Sequence, residues 1–220
     1  MLNTILQLST FGLVALSAVF FVVDPIAVVP VFLAMTAHET PAQRRRTALR
    51  ASLASGFTLA FFAVAGHYIF KLFGISLGGF KIAGGALLFL LSLDMMQARS
   101  SRTKTTPEEE QEGIEKQDVA IIPLAIPLLS GPGSIATVMV LMSRHREWIW
   151  GVPVFLAIVV TTAVTWAMLH GATWLERRLS KTFLNVTSRL MGLILAAVAV
   201  EFIVAGLRDV LPSLARAVKG

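Results

Sequence analysis

Six stretches of this chain, roughly residues 8–37, 50–73, 79–98, 119–142, 149–173 and 188–209, run for twenty residues or more with few charges. About twenty helical residues cross the hydrocarbon of a bilayer, so each stretch is long enough for one transmembrane helix. A run of that length in lipid must satisfy its own N–H and C=O groups, which a helix does within one segment. The expectation is an all-α membrane protein with six transmembrane helices and short connections. Composition agrees: 55% of residues are hydrophobic, 15% are charged and the mean hydropathy is +0.75. Soluble domains carry about 25% charged residues, so a soluble enzyme of this length is disfavoured. The absence of cysteine excludes a thiol relay and any Cys-based zinc or iron–sulfur site.

Nineteen Lys and Arg against thirteen acids give a net charge of +6. In a soluble protein that balance would suggest a nucleic-acid partner. Here the basic residues fill the polar gaps between apolar runs, where they act as topology anchors, and no nucleic-acid partner is expected. With six spans, the gaps after spans one, three and five share one side. They hold twelve basic residues (Arg44, Arg45, Arg46, Arg50; Arg99, Arg102, Lys104, Lys116; Arg177, Arg178, Lys181, Arg189), against seven on the other side. The positive-inside rule then puts both termini outside the cytoplasm. Met1 to Phe11 has no basic residue ahead of the apolar run and no small-residue cleavage site, so the N-terminus is read as uncleaved.

Displacing the chain against itself by 107 residues superimposes Asp24-Pro25-Ile26-Ala27 on Gly131-Pro132-Gly133-Ser134, Met35 on Met142, Gly85 on Gly192 and Asp94 on Glu201. The reading is two three-span repeats, residues 1–98 and 119–220, joined by a Ser/Thr/Glu/Lys-rich cytoplasmic linker at 99–118. Three is odd, so the second repeat enters from the opposite face, an inverted topology used by many secondary transporters. Chance similarity between apolar segments is the competing explanation.

The first stretch, 8–37, would make a helix of about 45 Å, too long for a core of about 30 Å. Asp24-Pro25 marks a break: a capping carboxylate followed by proline at the first helical position, where its missing N–H costs nothing. Pro30 then removes a further backbone donor. In the fourth stretch Pro123, Pro127, Ser130, Gly131, Pro132 and Gly133 crowd the middle. Spans one and four are therefore expected to be broken near the midplane, where non-helical backbone survives only buried in protein or lining a wet cavity. A half-helix start offers free N–H groups and a positive dipole end to a carboxylate, and freed carbonyls can take Na⁺, a proton carrier or an ammonium. A small zwitterion would satisfy both. Its candidate binding residues are Asp24, Pro25, Ile26, Ala27, Pro30, Pro127, Ser130, Gly131, Pro132, Gly133, Ser134 and Thr137. Proline kinks that only shape the bundle remain the alternative. Asp24 is either a cap for orphan N–H groups or a coupling carboxylate that gains and loses a proton.

Three runs together carry a family resemblance: D-P-I-A-V-V-P-V-F-L at Asp24–Leu33, P-L-A-I-P-L-L-S-G-P-G-S-I-A-T at Pro123–Thr137 and R-L-M-G-L-I-L at Arg189–Leu195. With them the chain resembles the MarC family, also called the small neutral amino-acid transporter family, over nearly its whole length. The resemblance implies a multi-pass protein of the bacterial cytoplasmic (inner) membrane. It also implies transport of glycine- or alanine-type amino acids, coupled to H⁺ or Na⁺. Where the family often has N-P-x-G, this chain has Asp24 for Asn and Ala27 for Gly, a difference that could change the ion or the substrate.

Glu201 stands in the otherwise uncharged run Leu190–Leu207, where a charge is expensive unless it faces the interior or a wet path. It is a candidate for ion coupling or gating, beside the readings of a neutral core glutamate and an interfacial one. Asp94, near the end of span three, is a gate candidate or a solvated helix end. His67 and His170 lack a second metal ligand at useful spacing, and no metal or other cofactor is expected. Gly74, Gly78, Gly84, Gly85 and Gly192 offer close helix approach. Trp148 and Trp150 fit an interfacial belt. No Walker, G-x-S-x-G or H-E-x-x-H motif occurs, so the chain does not read as an enzyme. The competing functions are a channel and a non-transporting membrane partner. A homo-oligomer is left open.

Overall fold

The computed structural model of the chain describes residues 2–97, 120–143, 148–178 and 180–217. The linker expected at 99–118 lies outside the described residues. Those residues fold into α1 (Leu2–Val23), α2 (Pro25–Met35), α3 (Pro41–Phe73), α4 (Leu77–Met96), α5 (Ala120–Leu129), α6 (Pro132–Ser143), α7 (Gly151–His170), α8 (Ala172–Arg178) and α9 (Lys181–Ala217), with no strand among them. Five stretches are long and apolar enough to cross a membrane: Leu6–Met35, Pro41–Gly66, Leu77–Met96, Gly151–His170 and Asn185–Leu211. Where a fourth span is expected at 119–142, two short helices stand instead, and α5 is wound as a π-helix.

Leu6–Met35 is 56% buried against 33–39% for the other four, which puts α1 and α2 at the centre of the bundle. The α1 face Phe11, Ala15, Ala18, Val19, Val22 is buried at helical spacing, and α1 packs on α6, α7 and α9. Around it, Leu13, Phe57, Leu156 and Leu193 lie exposed on the outer surface. An apolar exterior of this kind belongs against lipid.

Local chemistry sets the ends of α3. Thr40 and Gln43 form a reciprocal capping box with Pro41 at the first position, and Gly74 closes the helix at φ 64°. Gly74 thus serves as a cap and not in close packing, since no atom lies within 4 Å of where its Cβ would be.

The most extensive pairing joins α4 to α9. The two run antiparallel along a seam in which backbone meets backbone. A Cβ on Gly206 would lie 2.6 Å from the Gly78 carbonyl oxygen. One on Gly85 would lie 2.7 Å from that of Ala199, and one on Gly192 would lie 2.9 Å from that of Ser92. At one end of the seam Lys81 Nζ donates to Asp209 Oδ2 at 2.7 Å.

The Lys81 side chain is 10% exposed and that of Asp209 44%, so the two deletions should not be equivalent. Asp209→Ala strands a buried ammonium, whereas Lys81→Met leaves a carboxylate that can still reach solvent. Discounted for the exposed partner, Asp209→Ala is expected to cost about 1–2 kcal/mol and Lys81→Met under about 0.5. Thermal unfolding in detergent measures both, and equal losses would contradict this account.

Candidate functional site

The first break forms as the residues dictate. The α1 ladder runs through Asp24, whose N–H donates to the Phe20 carbonyl at 2.9 Å, and the chain then turns at Asp24 with φ 49° and ψ 65°. Asp24 is the non-glycine residue at positive φ among the described residues, and aspartate is one of the few side chains that tolerate this region. The Pro25 ring crowds the residue before it and keeps Asp24 from continuing the helix. Asp24 Oδ1 accepts from the Ala27 N–H at 3.3 Å, so the carboxylate caps α2 and is itself 2% exposed. Pro30 lies inside α2 and lacks the N–H that would pair with the Ile26 carbonyl.

The second break uses different means. The Ser130 N–H and Ser130 Oγ both reach back five residues to the Ala125 carbonyl, at 2.9 and 2.6 Å. Ser134 Oγ donates to the Leu129 carbonyl at 3.2 Å, and Thr137 Oγ1 to that of Gly133 at 2.8 Å. The Ser134 hydroxyl thus covers the carbonyl at the end of α5. Pro127 lies within α5, and its side chain is outside the described residues. Pro132 then opens α6, whose twelve residues span only about 18 Å.

The two breaks meet. A Cβ on Gly133 would lie 3.2 Å from Leu88 Cδ2 and 3.5 Å from Cγ1 of Val22, two residues ahead of Asp24. At the second break is a cavity of about 10 Å³ lined by Val22, Leu87, Leu91, Gly131, Pro132, Gly133 and Ser134, with Asp24 and Pro25 not among its lining residues. That is the room one water needs, too little for an amino acid. The Gly133 and Ser134 N–H groups fall in the first turn of α6, among the donors a helix start leaves without an intrahelical partner.

Several of the expected residues stand elsewhere. Asp24, Pro25, Ser130, Gly131, Gly133, Ser134 and Thr137 are buried and Ile26 is half-buried, but Ala27, Pro30 and Pro132 are exposed. In α2 this follows from the 100° step per residue, which turns Ala27 and Pro30 outward once Val28, Val29 and Phe32 face the core. Glu201 is exposed too: Ala199 and Phe202 face α4, so Glu201 points away from the seam. It does not join Asp24 in the interior. Asp94 is half-buried near the end of α4 and lies roughly 16 Å from Glu201 along the seam. Sequence reasoning missed the Lys81–Asp209 pair, although a lone lysine in the apolar run Leu77–Met96 was its signal. Among the described residues no three His, Cys, Asp or Glu side chains come together to hold a metal.

A second, larger hollow of about 490 Å³ lies between α3 and α7 on the outer surface. Ser52 and Trp166 are among its lining residues.

The sequence profile of a family described as MarC family integral membrane protein matches residues 9–211. The chain is 40% identical over 198 residues to the UPF0056 membrane protein YvbG of Bacillus subtilis (strain 168), covering 90% of this chain and 94% of that one. It is 35% identical over 195 residues to the UPF0056 membrane protein YhcE of Escherichia coli (strain K12), covering 89% and 91%. A UPF0056 membrane protein of Methanocaldococcus jannaschii is 38% identical over 201 residues, covering 91% and 98%. No solved structure matches the chain.

Proposed function

The chain belongs to the MarC family of multi-pass integral membrane proteins, and from that premise we propose that it carries small neutral amino acids, of the glycine or alanine type, across a bacterial cytoplasmic membrane. One observation carries the proposal: the two interrupted segments touch, Val22 against Gly133, deep in the bundle. Paired breaks are costly in lipid and are tolerated where they are buried in protein or line a wet cavity; many secondary transporters use such breaks to hold a polar guest. The substrate carboxylate docks on the Gly133 and Ser134 N–H groups at the positive end of α6. Asp24 already supplies negative charge to α2, so its carboxylate meets the substrate ammonium or the coupling H⁺ or Na⁺. Asp94 and Glu201, outside this site, are left to gating.

The α4–α9 seam supports the inverted repeat. Gly85 packs against Ala199 and Ile203, and Gly192 against Ser92 and Met96. These two sets exchange under the same displacement of 107 residues that superimposes Asp24 on Gly131. Broken spans one and four, six crossings in all and both termini outside complete this reading, with the arginine-rich gaps in its support. A cavity of one water is a closed form, so carriage requires the repeats to part alternately towards each side. It also speaks against a standing pore.

Uptake of labelled alanine and glycine into proteoliposomes, with and without a pH or Na⁺ gradient, tests the reading. Saturable uptake that rises with a gradient is expected. Flux linear in concentration would make the protein a channel, and none with either substrate would leave the breaks without this role.

A further inference from the structure

We propose that the trough between α3 and α7 holds one phospholipid, its acyl chain lying in the trough and its anionic headgroup bound by Arg46 and Arg50. This site is separate from the paired breaks and does not depend on transport.

The trough, about 490 Å³, is within the range of about 300–1,000 Å³ typical of small-molecule sites. Its walls are the face Leu49, Ser52, Leu53 of α3 and the face Phe155, Val159, Thr162 of α7, each at helical three-to-four spacing. The helices run antiparallel here: Gly56 faces Thr162, and Arg44 Nη1 donates to Thr173 Oγ1 at 3.1 Å. Trp166 therefore stands at the end where α3 begins. Phe57, 73% exposed, and Val159, 62% exposed, open the trough to the lipid side.

Arg46 and Arg50 lie exposed one turn ahead of Leu49 and Leu53 on the same face, at the mouth. Arg44 is already committed, with Nη2 donating to the Thr36 carbonyl at 2.8 Å. Arg46 and Arg50 have no carboxylate partner among the described residues. An anion at this mouth would neutralise them, and clustered arginines beside a span attract acidic lipids. Two residues into the trough Ser52 is 1% exposed, and its hydroxyl has no partner among the described residues. It lies about 3 Å past Arg50 along the axis, at the depth of a glycerol ester carbonyl. A second copy is a poorer occupant, because an axis along the membrane normal would bring its arginines to the same depth, like charge against like.

The full chain, purified in detergent and offered equal dioleoylphosphatidylglycerol and dioleoylphosphatidylcholine, is weighed intact by native mass spectrometry. One phosphatidylglycerol should be retained per chain, with a preference of at least about fivefold. Arg46→Gln with Arg50→Gln should erase the preference. Ala163→Trp, which fills the trough and spares the arginines, should release both lipids. Equal retention, a preference that survives loss of the arginines, or a lipid-free two-copy mass would each overturn the proposal. Should the variants not fold, the unaltered chain in vesicles decides. Brominated phosphatidylglycerol should quench tryptophan fluorescence more strongly than brominated phosphatidylcholine, and equal quenching overturns the site.

Discussion

Gly206→Ala is expected to destabilise the protein by about 2–3 kcal/mol, and Gly206→Leu to leave no folded chain. The methyl group of the alanine would sit 2.6 Å from the Gly78 carbonyl oxygen and 3.0 Å from the Ile82 backbone nitrogen. Backbone cannot rotate aside as a side-chain tip does, so α4 and α9 would have to separate along their whole contact. Gly85 and Gly192 approach backbone comparably, at 2.7 and 2.9 Å, while Gly78 meets the Val210 side chain at 2.6 Å and the Gly206 carbonyl oxygen at 3.0 Å. Small residues permit such approach, and in a membrane, where burial from water contributes little between helices, close packing is what holds a pair together. Gly12→Ala is the control. Its Cβ would meet only Pro153 Cβ at an ordinary 3.6 Å, and alanine is better than glycine in a helix by up to about 1 kcal/mol. Thermal unfolding in detergent should move in opposite directions for the two alanines. A Gly206→Ala protein melting with the unaltered chain would remove the seam from this account.

Both breaks were legible in the residues because capping and proline rules act over three or four positions. Asp24-Pro25 reads as cap and first turn, and α2 begins at Pro25. Gly131-Pro132 reads the same way, and α6 begins at Pro132. The π winding of α5 was not legible, since it depends on Ser130 reaching five residues back, a bond that no propensity encodes. The direction of Glu201 was hidden for a different reason. In α9 lipid and neighbouring helices are both apolar surroundings, and Leu190, Leu193 and Ile194 are as hydrophobic facing out as Leu195 and Phe202 are facing in. Without a polar face, helical period alone does not say which side meets the bundle. The Lys81–Asp209 pair joins residues 128 apart, and such pairings come from the packing of α4 on α9. The size of the cavity at the second break was equally a matter of packing: Leu87, Leu91 and Val22 close it to the width of a water.

Gly133→Ala and Asp24→Asn separate the site from the scaffold around it. At Gly133 the added methyl meets Leu88 Cδ2 at 3.2 Å, the far end of a flexible side chain, and alanine's better helix propensity offsets the crowding. The fold should survive while the methyl occupies the space beside the Ser134 N–H, and uptake should fall at least about tenfold, the loss of roughly 1.4 kcal/mol of substrate binding. Asn is as good a cap as Asp and accepts the same left-handed turn, so Asp24→Asn should unfold within about 0.5 kcal/mol of the unaltered chain. What it removes is the charge. If that charge carries the coupling ion, uptake driven by a pH or Na⁺ gradient should drop to the rate without a gradient, while exchange of labelled for unlabelled alanine continues. Gradient-driven uptake that persists in Asp24→Asn would confine Asp24 to capping α2. Undiminished uptake in a folded Gly133→Ala protein would move the substrate away from the contact of the two breaks.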